Sequence, residues 1–287
     1  MKAKNISLLQ IHVAVLLFGL SGLFGKLIAL PAIIIVLGRV FFASIFLLLL
    51  LVYLKRNIKL QQQRHYFYLA IMGVILAIHW ITFFLSIQVS TVAIGLLTFS
   101  TFPVFVTFLE PYFFKENIRV ADIIVALITF VGVLLVIPEF QLDNNLTQGV
   151  LWGITSGFTY AILSMLNRKF VSEYSGLVIA FYEQVTATIL LIPFFLLQQP
   201  LVQINDIVLL ILLGILFTGV SHSLFISGLK NIKTQTAGII STLEPVYGVI
   251  FAVLLLQEIP SIREVLGGII IIGTVVYSSI DSREPSP

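Results

Sequence analysis

The sequence predicts an all-α integral membrane protein with ten transmembrane helices, arranged as two inverted five-helix repeats with both termini cytoplasmic. Three observations predict it. Of the 287 residues 59% are hydrophobic and 10% charged, with a mean hydropathy of +1.11, whereas an ordinary soluble domain is roughly 25% charged. Lys and Arg gather on one side of the apolar runs. The two halves of the chain also repeat each other's punctuation.

Apolar runs between polar breaks place helices at roughly 7–29, 32–54, 66–88, 91–113, 119–137, 148–168, 176–197, 206–229, 235–256 and 261–280. The first run is expected to be a retained helix and not a signal peptide: no small-residue cleavage pattern follows Leu30, and Ile33 opens the next span at once. With the N-terminus inside, cytoplasmic loops receive Lys2, Lys4, Lys55, Arg56, Lys59, Arg64, Lys115, Arg119, Arg168, Lys169, Lys230, Lys233 and Arg283, and outer loops only Arg263. This is the positive-inside pattern, and it implies an even number of crossings. These charges form thin rims, so the net +3 makes no continuous basic surface and nucleic acid is not expected as a partner. With no cysteine, disulfides and thiolate metal sites are excluded.

The internal repeat pairs Thr101-Phe102-Pro103-Val104, Lys115-Glu116 and Gly132 with Leu243-Glu244-Pro245-Val246, Gln257-Glu258 and Gly273. The two prolines and the two glutamates are offset by the same number of positions, dividing the chain into repeats at 1–140 and 146–282. Five helices per repeat is odd, so the second repeat enters the membrane inverted. The loops agree, since Val89-Ser90 carries no basic residue where its counterpart holds Lys230 and Lys233.

At these residues the sequence resembles the drug/metabolite transporter superfamily, and within it the ten-helix EamA-like transporters. Gly22-Leu23-Phe24-Gly25-Lys26, Pro31, Arg39-Val40-Phe41, the Pro103 to Glu116 and Pro245 to Glu258 segments and Asn167-Arg168-Lys169 carry the resemblance, over roughly residues 8–280. It implies a bundle in which helices one to four and six to nine surround a central cavity while five and ten pack outside. It also implies transport of amino acids, purines, sugars, sugar phosphates or amines, often outward. Many members have another residue at the position of Glu110, so no family role passes to it.

Ionisable groups inside spans cost several kcal/mol unless paired or hydrated, which makes each a functional candidate. Lys26, about one turn from the outer end of helix one, either snorkels to the headgroups or holds an anionic solute group or caps a gate. Arg39 lies about 12 Å into helix two at ~1.5 Å per residue and either clamps a carboxylate or phosphate or forms a structural ion pair. Glu244 precedes Pro245 near the middle of helix nine, where a proline is expected to break the helix beside a carboxylate. It is a candidate for proton coupling or for pairing with Arg39 or Lys26. Glu183 in helix seven is set among Tyr182 and Gln184, as a cavity group or a contact between helices. His79, beside Trp80, and His222 take equivalent places in the two halves, as solute contacts, titrating groups or packing residues, and Trp80 offers a face for stacking. Glu110 is a rim or gate residue, and Glu116, Glu258 and Asp122 are interfacial. Gly19, Ser21, Gly22 and Gly25 in helix one, like Gly267, Gly268 and Gly273 in helix ten, permit close packing, and the Gly19, Gly22, Gly25 spacing can also give flexibility near a gate.

Enzymatic chemistry is not expected: there is no Gly-x-Ser-x-Gly elbow, His-Glu-x-x-His helix, phosphate loop or pair of aspartates within spans. No cofactor or metal is implied, and no soluble segment is large enough to bind ATP. The expected partners are a small-molecule metabolite, the lipid bilayer of a cell inner membrane and a proton or other coupling ion, the chain acting as monomer or homodimer. The preferred function is a secondary transporter, an exporter of amino acids or related zwitterions working by alternating access. A membrane receptor or assembly subunit, or a flippase of a lipid-linked sugar, is the alternative.

Overall fold

The computed structural model describes residues 2–114, 120–136 and 144–281; the predicted Lys115-Glu116 element, Arg119, the side chain of Asp122 and the junction at 137–143 lie outside the described residues. Among the described residues every regular element is helical. Eight rods are long and apolar enough to cross a membrane, at Ala3–Leu27, Ala32–Tyr53, Gln63–Val89, Val92–Phe113, Asn145–Phe170, Gly176–Gln198, Ile204–Gly228 and Thr236–Leu256, and Ile123–Val136 is a shorter apolar helix.

Four rods are interrupted. The first is α1 (Lys2–Ser21) and α2 (Phe24–Leu27), followed by α3 (Ala32–Tyr53) and α4 (Gln63–Val89). The next is split into α5 (Val92–Phe99) and α6 (Phe102–Phe114), and α7 (Val120–Val136) follows. After α8 (Asn145–Phe170) and α9 (Gly176–Gln198), the third interrupted rod runs from α10 (Ile204–Gly214) through a π-helical turn (Ile215–Val220) into α11 (Ser221–Gly228). The fourth is α12 (Thr234–Ser241) with α13 (Leu243–Leu256), and α14 (Ile262–Asp281) ends the order.

In a bilayer core the backbone groups freed at each break need partners within the protein. Hydroxyls add further bonds to carbonyls beside the breaks. Ser21 Oγ donates to Phe18 O at 2.8 Å before the first break. Ser100 and Thr101 hydroxyls bond Leu96 O and Thr98 O around the second, and Ser241 Oγ bonds Ala237 O ahead of the fourth. The fourth break corrects the expectation of a helix broken at Pro245. It falls at Thr242, and Pro245 sits in the first turn of α13, where an absent N–H costs nothing because that turn's donors have no intrahelical acceptor.

The surface is apolar where a soluble protein's is polar. Leu49, Phe67, Leu127, Ile189 and Leu197 are exposed, while Arg39, Glu183, Gln184, His222 and Glu244 are all at most 4% accessible. This inversion fits hydrocarbon outside and polar contacts inside. Helix α4 packs on α8 and α9, α3 on α9, and α1 on α11 and α13. Helices α7 and α14 pack chiefly on each other, across Gly132 and Gly267, where a Cβ on Gly267 would come within 2.7 Å of Gly132 O. Gly273, the repeat partner of Gly132 in sequence, meets nothing within 4 Å. The close approach falls to Gly267 instead.

Candidate functional site

The interruptions converge. A cavity at the centre of the bundle is lined by Phe18, Ser21, His79, Trp80, Phe83, Phe99, Tyr160, His222 and Glu244. Ser21 and Phe99 are the last residues of α1 and α5, His222 follows the π-helical turn by two residues, and Glu244 lies in the first turn of α13. The cavity's volume is about 20 Å³, room for about one water. In this conformation it is too small for a larger molecule.

Glu244 is the carboxylate of the lining, and aromatic rings make up most of the wall. His79 and Tyr160 rings are 4.7 Å apart, and Trp80 lies edge to face with His222 at 5.6 Å. Arg39 sits behind this wall. Its guanidinium carbon is 3.9 Å from the Trp80 centroid, within cation–π range. Nε donates to Thr218 Oγ1 at 2.9 Å and Nη2 to Phe217 O at 3.3 Å, while Nη1 has no protein partner. The π-helical turn makes this anchor possible: its wider spacing lets Thr218 Oγ1 reach back five residues to Leu213 O and leaves Phe217 O for the arginine. Arg39 and Glu244 are electrostatic neighbours.

The two histidines are both buried at the cavity but held differently. His79 Nδ1 meets Ser156 Oγ at 2.8 Å and Ser156 O at 3.1 Å. His222 Nε2 meets Glu183 Oε2 at 2.7 Å. Glu183 is fully buried, one layer behind the lining. Helix α4 comes close here because Gly73 has no side chain: a Cβ on it would stand 2.7 Å from Glu183 O.

Three other candidates lie away from the centre. Lys26 is exposed and donates through Nζ to Ser90 O at 2.7 Å, in a cluster with Glu258 and Glu264. Glu258 Oε1 accepts from Val92 N at 2.6 Å, and Glu264 Oε1 accepts from Thr91 Oγ1 at 2.8 Å. Burial pushes the Glu258 carboxyl above the ordinary carboxylate range, against the opposing pull of the Val92 N–H and Lys26. Tyr182 turns away from Glu183, as neighbours on a helix do at ~100° per residue. Its Oη donates to Ile58 O at 2.9 Å and its ring packs on Tyr66. Glu110 is ion-paired with Arg168, joining α6 to α8 at the end of the bundle opposite Lys26.

Sequence reasoning did not single out Phe18, Phe83, Phe99, Tyr160 or Thr218, and it read Ser21 as a packing residue of helix one and not as part of a cavity wall. Gly214 and Gly219, which flank Thr218 in an otherwise apolar run, were the available sign of an irregular turn.

Membrane-length apolar helices broken around one buried polar centre define a class, the multi-pass membrane protein organised about an internal site. Residues 5–137 and again 147–280 match the EamA-like transporter family; the chain belongs to that family and is a membrane transporter of small molecules. It is similar to an uncharacterized transporter of Archaeoglobus fulgidus, 27% identical over 193 residues that cover 67% of this chain and 69% of that one. It is also similar to the S-adenosylmethionine uptake transporter of Rickettsia conorii, 24% identical over 241 residues, covering 83% and 80%. A protein of known crystal structure aligns with a TM-score of 0.71 over 98% of both chains at 18% identity, a likeness of fold.

Proposed function

We propose that this transporter moves amino acids and related zwitterions outward across a cell inner membrane, by alternating access between two inverted repeats, residues 1–140 and 146–282. Ten helices cross in this reading and both termini are cytoplasmic, which the loop distribution of Lys and Arg supports. The observation that carries the solute class is the cavity wall: one carboxylate, Glu244, among Phe18, Trp80, Phe83, Phe99 and Tyr160. An ammonium or other cationic centre is held by a carboxylate and by ring faces together, and Arg39 behind Trp80 supplies the opposite charge for a solute carboxylate once the wall opens.

S-adenosylmethionine, named for the rickettsial relative, is itself an amino-acid zwitterion with an added cationic centre, which fits this class. Uptake is the direction in that relative's name and export is the direction proposed here. Flux in proteoliposomes of known orientation separates the two. The deciding experiment compares wild type with Glu244→Gln over a panel of amino acids, amines, sugars and nucleobases. A saturable flux of zwitterions that Glu244→Gln lowers by about tenfold or more supports the reading. Equal flux in both proteins removes Glu244 from the site, and a preference for sugars or nucleobases removes the solute class.

A further inference from the structure

We propose that Glu183 and His222 form a proton-binding site that drives transport, one layer behind the solute cavity; the inference rests on the transport reading above. His222 and Glu183 are joined at 2.7 Å with side chains at most 1% accessible. His222 also faces the cavity, and Glu183 does not. Each partner has one further polar atom, His222 Nδ1 and Glu183 Oε1, with no protein partner. A buried pair of this kind is neutral when it holds a single proton, whether as imidazole with carboxylic acid or imidazolium with carboxylate. Losing that proton leaves a buried carboxylate without compensation, which favours any conformation that lets water reach it.

Among the charged and titratable groups on the packed elements, His79 of α4 interacts with His222 and Tyr160 of α8 with Glu183, Glu244 of α13 shares the cavity wall with His222, and Arg39 of α3 acts on His79 and Glu244. Helix α1 contributes none, because its His12 is exposed. Arg39 and Glu244 attract one another, and the proton of the pair adds to or leaves the charge of this cluster. A physical link to the solute cavity is present. Thr218, which anchors Arg39, and His222 are four residues apart on the rod containing the π-helical turn, hence one turn apart on one face. Proton loss that shifts His222 also shifts the anchor of Arg39. In each cycle one proton binds from water on one side, the pair passing from its deprotonated to its singly protonated form, and leaves to water on the other. No covalent bond other than to that proton changes.

The test uses the full chain in proteoliposomes with labelled S-adenosylmethionine and labelled leucine as probes, comparing wild type, Glu183→Gln and His222→Gln. The expected result is accumulation driven by an imposed pH gradient in wild type, lowered about tenfold or more in both variants. Exchange of labelled for unlabelled probe at equal pH persists in Glu183→Gln, which shows that it is folded; for His222→Gln, whose ring lines the cavity, folding is read from an unfolding midpoint in mild detergent. Accumulation that persists in both variants overturns the proposal. So does a wild-type flux that ignores the gradient, although the transport reading then stands. Infrared difference spectra of wild type between about pH 5 and pH 9 give a readout that needs no solute. They are expected to contain a carboxyl band that Glu183→Gln removes, and its survival in that variant overturns the proposal. If neither probe moves while that band titrates and disappears in Glu183→Gln, the proton site stands and the zwitterion reading fails.

Discussion

Arg39 shows what one residue contributes to this fold. A guanidinium is buried here at 1% accessibility because the ring of Trp80, the Thr218 hydroxyl and the Phe217 carbonyl each take part of its charge or hydrogen bonding. Thr218→Val keeps the shape and removes one acceptor. The expected cost is about 1 kcal/mol, the usual range for a polar contact between membrane helices, read as a lowered unfolding midpoint in mild detergent. Arg39→Lys is expected to cost more, because an ammonium cannot keep both hydrogen bonds while lying flat on Trp80. From sequence the arginine's depth was legible and its partners were not, since Thr218 lies 179 positions away in a run with no charged residue.

At the scale of elements, contact between α3 and α10 depends on Gly214, where a Cβ would stand 2.6 Å from Phe42 Cβ and 2.8 Å from Arg39 O. Gly214→Ala forces the helices apart beside the Arg39 anchor and is expected to lose roughly 1–3 kcal/mol, with solute flux falling in parallel. Gly273→Ala is the control. Nothing lies within 4 Å of that position, so thermal stability is expected to stay level or rise by up to about 1 kcal/mol from helix propensity. A small-residue pattern alone ranks these two glycines the other way, because Gly273 belongs to the repeat and Gly214 does not.

For the whole molecule, the proposed alternating access requires the cavity to open at one end of the bundle or the other. At one end Lys26, Ser90, Thr91, Val92, Glu258 and Glu264 tie α2 and α5 to the segment joining α13 and α14. Burial raises the Glu258 carboxyl above its ordinary value. Its contribution to closure is therefore fully present below the ordinary carboxylate pKa and is lost as pH rises through the raised value. Because the chain has no cysteine, Ser21→Cys places a single thiol on the cavity wall. Its labelling by a membrane-impermeant maleimide from the Lys26 side is expected to speed up as pH rises, beyond the thiol's own ionisation in an unfolded control. With Glu258→Gln added, that excess is expected to disappear. An excess that survives Glu258→Gln would assign the pH response to another group.

The sequence by itself determined that this is a helical membrane protein, roughly where its long apolar rods lie, and which few ionisable residues are inside them. These features follow from local composition, because hydrocarbon selects against charge one residue at a time. Tertiary structure alone decided which of those residues meet. Arg39, Trp80, Glu183, His222 and Glu244 come together from five separate elements, while Tyr182, adjacent to Glu183 in sequence, turns to the Ile58 carbonyl. The displacement of the helix break from Pro245 to Thr242 and the π-helical turn that anchors Arg39 were also decided there. The π-helical turn depends on Thr218 and the Phe217 carbonyl meeting Arg39 on a neighbouring helix, and no single run of residues carries that information.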